Sequence, residues 1–104
     1  MPDPRIWPVE EVDDTFATVQ GVSVEVRPAN ANRVECDFTN DSDSVIYLAR
    51  GNAAVIGSGQ RLNPNGGTYH IGIVNLWNGQ INAISTFVDQ EDANLCISEG
   101  LRIK

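Results

Sequence analysis

The chain has 104 residues, enough for one domain, and 14 acidic against 7 basic residues give it a formal charge of −7. Six scattered Arg and the single Lys104 offer no basic patch to displace counterions from phosphate, which argues against nucleic acid and anionic membrane as partners. No apolar run approaches the roughly 20 residues of a spanning helix, and no basic-then-apolar leader opens the chain.

The first 14 residues, MPDPRIWPVEEVDD, stand apart. Pro2, Pro4 and Pro8 forbid a helix and a central strand, leaving an extended path. We therefore expect an N-terminal arm over 1–14 and a domain over 15–104. Ile6-Trp7 is a large apolar pair that a solvated tail has little reason to carry, and Trp is favoured as an interface anchor. Ile6 and Trp7 are candidate partner-binding residues, with Glu10, Glu11, Asp13 and Asp14 as acids to meet a basic surface.

From Thr15 onward the texture is that of strands. Eleven Val and nine Ile against five Leu favour a pleated surface, and nine Gly with ten Asn supply tight turns. Phe16 and Val19 belong to a first strand, with Gln20-Gly21 as a turn. Val22–Arg27 alternates cleanly and reads as a half-buried strand. Pro28–Asn32 is a loop, and Arg33–Thr39 the next strand, stopped by the turn formers Asn40–Ser44. Val45–Ala49 and Ala53–Ile56 are short strands separated by Arg50-Gly51-Asn52, with Gly57-Ser58-Gly59 behind them.

Asn63-Pro64-Asn65-Gly66-Gly67 is the strongest turn signal. Thr68–Val74 follows, with Tyr69, Ile71 and Ile73 on one face. Asn78-Gly79 has the chemistry of a two-residue hairpin turn, which would pair Val74–Trp77 with Gln80–Ile84. Ile81–Val88 is apolar on both faces, as a central or interface strand would be. Trp77, Ile81, Ile84 and Phe87 are accordingly candidates for a subunit interface. Asn94–Ile103 closes the chain. Seven or eight short strands without a helical period predict an all-β fold: a single antiparallel sandwich or barrel of jelly-roll type.

The chain offers little for catalysis or metal binding. His70 is the only histidine and has no partners at metal-ligand spacing, no nucleophile elbow and no HExxH helix around it. Asp41-Ser42-Asp43 passes straight into Val45-Ile46-Tyr47, unlike a calcium loop, and Gly57-Ser58-Gly59 lacks a following helix to cradle phosphate. Neither an enzyme nor a cofactor is expected. The strand parity sends Cys36 inward with Val34 and Phe38, and Cys96 away from Leu95 and Ile97. Two free thiols and an intracellular assembly site are expected.

A resemblance adds to this reading. Ala29-Asn30-Ala31-Asn32-Arg33, a strand, Asn40-Asp41-Ser42, Ile46-Tyr47-Leu48, Gly59-Gln60-Arg61-Leu62-Asn63-Pro64-Asn65-Gly66-Gly67, Leu76-Trp77-Asn78-Gly79-Gln80-Ile81-Asn82-Ala83-Ile84 and Ser98-Glu99-Gly100 follow in order. The series resembles a group of small tailed-bacteriophage virion proteins, with Asn65 where Gly is more usual. Several members of that group are all-β proteins that stud or cement capsids. The resemblance implies a capsid decoration (cement) protein, a dimer or trimer that binds the phage major capsid protein. It would be assembled in the host bacterial cytoplasm and located on the virion surface. The alternatives are a head–tail connector or other minor virion part, and a glycan- or receptor-binding module that uses Trp77, Tyr69 and Asn78.

Overall fold

The computed structural model describes residues 9–72, 74–86 and 92–102. Eight strands and no helix lie among them: β1 (Glu11–Val19), β2 (Val24–Arg27), β3 (Arg33–Asn40), β4 (Ile46–Arg50), β5 (Gln60–Leu62), β6 (Thr68–Ile71), β7 (Ile81–Ser85) and β8 (Ala93–Leu101). They form two four-stranded antiparallel sheets, ordered β1-β8-β3-β6 (sheet A) and β2-β7-β4-β5 (sheet B). Successive strands leave one sheet for the other, except β4 and β5, which pair within sheet B, and the first strand pairs with the last. This is the connectivity of a jelly roll, and of the two expected forms, sandwich or barrel, the fold is an all-β sandwich.

The core lies between the sheets. Alternation along β3 and β8 sends Cys36, Phe38, Leu95 and Ile97 inward, where they meet Ile46, Leu48, Leu62 and Ile81. Cys36 and Cys96 are free and project from opposite faces of sheet A, as their parity predicted.

Several boundaries differ from the sequence reading. β1 begins at Glu11, so Glu11, Asp13 and Asp14 belong to a strand and not to the arm. Pairing with β8 over nine residues extends this strand beyond its apolar part, a non-local contribution that local composition does not reveal. Gln60–Leu62, read only as a lead into a turn, pairs with Ile46–Leu48 as β5. Ala53–Ile56 is not a strand. That segment lies over the outer face of sheet B, its path held by Ala54 N–H donating to Ser23 Oγ (2.8 Å) and Asn82 Nδ2 donating to Asn52 O (2.6 Å).

The expected hairpin at Asn78-Gly79 is also absent. β6 belongs to sheet A and β7 to sheet B, so the chain crosses the sandwich here. The carbonyls a hairpin ladder would use are taken: Trp77 O and Gly79 O each accept from Arg33 Nη1 at 2.9 Å, and Asn78 O accepts from Asn30 N–H at 2.8 Å.

Candidate partner-binding face

The quoted sequence blocks converge at the two ends of β3. At one end Arg33, 1% exposed, donates from Nε to Glu99 Oε2 (2.5 Å) and from Nη2 to Pro28 O (2.7 Å), besides its two bonds to the 77–79 segment. Asn78 Nδ2 donates to Asn30 O (3.1 Å) and Arg33 O (2.7 Å). Arg27 Nη1 reaches Glu99 (3.3 Å) and Asp13 (3.1 Å), tying the edge strand of one sheet to that of the other. A buried guanidinium with several carbonyl acceptors and one carboxylate is stable only because its donors are so well matched.

At the opposite end buried Asn40 donates from Nδ2 to Ser44 O (2.6 Å) and Leu62 O (3.1 Å) and accepts from Ser42 Oγ (2.6 Å). Its backbone bonds both members of the Gly66-Gly67 pair. Asn65 (φ 60°) and Gly66 (φ 119°) supply the left-handed residues of that turn. A side chain at Gly67 would press into the Asn63 backbone, 2.3 Å from its nitrogen. Asp41-Ser42-Asp43 belongs to this lock. These blocks thus hold loops in place; they do not assemble reactive groups.

Trp77 is half-buried against the core, its Nε1 donating to Gln80 O (3.0 Å) and its ring edge set against Gly51 and Gly79. Burial within the chain itself also accounts for two interface candidates: Ile81 (1% exposed) faces the core, and Ile84 lies beneath neighbours on the outer side of β7. As buried side chains they have no surface to offer a second subunit. Ile6, Trp7 and Phe87 lie outside the described residues.

The solvent-facing side of sheet A has the opposite character. Its strand residues form a row across all four strands: Asp14 (β1), Ser98 (β8), Asp37 (β3) and His70 (β6). Ser98 Oγ donates to Asp14 Oδ1 (2.6 Å), and His70 Nδ1 pairs with Asp37 Oδ1. Although Ser, His and Asp meet here, Asp37 stands between the other two. The neighbouring-strand spacing of about 4.8 Å puts Ser98 roughly 10 Å from His70, beyond proton transfer.

Beside this row Val12 and Phe16 point into solvent, 54% and 65% exposed, with Cys96 half-buried next to Phe16. A shallow depression runs here, lined by Asp14, Thr15, Phe16, Asn94 and Cys96. The strand residues facing out from sheet A include the acids Asp14, Glu35 and Asp37 but no Lys or Arg. The sequence reading had assigned Phe16 and Val19 to one strand without separating their faces. Their odd spacing is the signal that was available: Val19 goes in with Ala17, and Phe16 goes out with Val12.

Among the described residues, no group of three or more His, Cys, Asp and Glu side chains is placed to hold a metal ion. The Cys36 thiol is pushed up from 9.0 to about 12 by burial first and by the nearby Glu99 carboxylate second, so it is a protonated core group. No helix of the described chain is long and apolar enough to cross a membrane. Comparison with protein-family models, curated proteins and solved structures gives no match to this chain.

Proposed function

We propose that this chain is a non-enzymatic structural protein of a bacteriophage virion, a decoration protein that binds the outer surface of the head and braces contacts between capsomers. The observation that carries the reading is the solvent face of sheet A, where Val12 and Phe16 are exposed among acids and no outward-facing strand residue is Lys or Arg. Exposed apolar side chains on a rigid, loop-locked sandwich suit attachment to another surface. The ordered resemblance to small virion proteins supplies the biological setting.

In this reading binding is multivalent. A small body repeated over a shell converts modest individual contacts into high avidity, and a dimer or trimer at a symmetry axis multiplies the effect. The acids Glu10, Glu11, Asp13 and Asp14 meet shell Arg or Lys and chiefly speed encounter. Ile6 and Trp7 precede β1 in the sequence and add an apolar anchor to the attachment.

The test is the copy number per purified particle, by quantitative mass spectrometry against the major shell protein. A ratio near one, or a simple fraction such as one-third, is expected. A handful of copies points instead to a connector, and absence from particles overturns the virion reading.

A further inference from the structure

We infer that β1 is a strand-addition site, whose free edge takes an extended segment in which Lys or Arg residues alternate with apolar ones. Resting on the reading above, the donor of that segment is the shell protein.

The four sheet edges differ in what they offer. β5 is three residues long, and β6 is four. β2 is four residues long and its pairing shifts register between Glu25 and Arg27. β1 is nine residues long, about 30 Å of regular strand, and is paired with β8 without a break. Among the described residues no strand pairs with its other side. Among the described residues, alternate N–H and C=O groups along that side face no other strand, with Val19 O accepting from Ser85 Oγ at the end of β1 (3.4 Å).

Edges of this length are ordinarily blunted by Pro, a bulge, a covering loop or charged side chains, and among the described residues β1 has only the last. Glu11–Val19 contains no Pro and no Lys, and its register is unbroken. Its only charges are Glu11, Asp13 and Asp14. They repel a second copy, which brings the same acids and a charge of −7, and they attract a basic strand. An added strand continues sheet A, so one of its side-chain rows lies beside Val12, Phe16 and the depression next to Cys96. That row takes the apolar residues, with Asp14 between Val12 and Phe16, and the other row sets its Lys or Arg beside Glu11 and the Asp13–Arg27 pair.

The test uses the full chain and two synthetic probes: an eight-residue peptide of alternating Lys and Val, and the same peptide with every second amide N-methylated. The methylated form keeps charge and apolar surface but cannot hydrogen-bond along one edge. Amide hydrogen exchange by NMR is expected to slow about tenfold at alternate β1 residues with the first peptide and not with the second. The double substitution Glu11→Lys with Asp14→Lys, checked for retained fold by circular dichroism, is expected to abolish the effect. Equal binding of both peptides, protection at β2, β5 or β6, or no binding would each overturn the site. Absence from virions with positive exchange data would remove the shell protein as donor and leave the β1 site standing, so the two readings fail separately.

Discussion

Arg33 is the residue on which one end of the sandwich depends. Its guanidinium neutralises Glu99 and binds three backbone carbonyls from two loops. Arg33→Met leaves Glu99 buried without that partner and releases those carbonyls. A loss of about 3 kcal/mol in urea denaturation is expected, because Glu99 keeps only Arg27 at 3.3 Å and three carbonyls lose a charged donor. The double substitution Arg33→Met with Glu99→Leu is expected to recover part of that loss, since the buried carboxylate is gone and Arg27 keeps Asp13 at 3.1 Å. In the sequence Arg33 is legible as the start of a strand and Glu99 as part of a closing block. Their meeting was not, because 66 residues separate them and the contact is set by how β8 lies against β3.

Cys36 gives a second test at this scale. Its thiol ionises near 9.0 when solvated and near 12 in the folded chain. Below pH 9 both states hold the proton and the difference costs nothing. Above it the unfolded chain releases a proton that the folded chain keeps, so stability falls with rising pH until the folded thiol itself ionises. The slope approaches about 1.4 kcal/mol per pH unit. Urea midpoints of the wild type should therefore fall more steeply between pH 8 and pH 10.5 than those of Cys36→Ala. Parallel slopes would contradict the buried, protonated thiol.

At the scale of elements, β1 divides what its sequence showed from what it did not. The apolar half, Thr15–Val19, carries strand-forming residues of its own. The acidic half is a strand because residues 98–101 of β8 lie opposite it. The same division explains Asn78-Gly79: its local chemistry is that of a hairpin, but the Arg33 and Asn30 bonds draw the segment into a crossover. Turn chemistry was read correctly at Asn63–Gly67, where the demand for left-handed residues is local.

The two thiols report these faces directly. With Cys96 half-buried outside sheet A and Cys36 inside it, a thiol-disulfide reagent at pH 8 should modify one cysteine in the folded protein and the second only on unfolding. Phe16 lies opposite Cys96. Phe16→Ala should speed that first reaction severalfold while changing stability by no more than about 0.5 kcal/mol, as expected for an exposed side chain. A loss of several kcal/mol would place Phe16 in the core and remove the exposed patch.

For the whole molecule, composition and turn spacing were sufficient for an all-β sandwich or barrel, but not for choosing between them or for which strand meets which. Jelly-roll pairing is almost entirely non-local: β1 with β8, β2 with β7, and β3 with both β6 and β8. Chains of this type pay loop-closure entropy before their contacts form, so refolding on the scale of milliseconds to seconds is expected. The same topology makes the last strand indispensable. β8 lies inside sheet A with β1 on one side and β3 on the other, buries Ala93, Leu95 and Ile97, and carries the carboxylate that neutralises Arg33. Removing residues 93–104 strips β1 of its described partner strand, opens the core and leaves Arg33 buried without Glu99. The truncated chain should therefore lack the dispersed amide spectrum of a folded protein and show no cooperative thermal transition. A cooperative transition in that truncated chain would mean that sheet B and its loops form an independent folding unit, contrary to the single core shared by the two sheets.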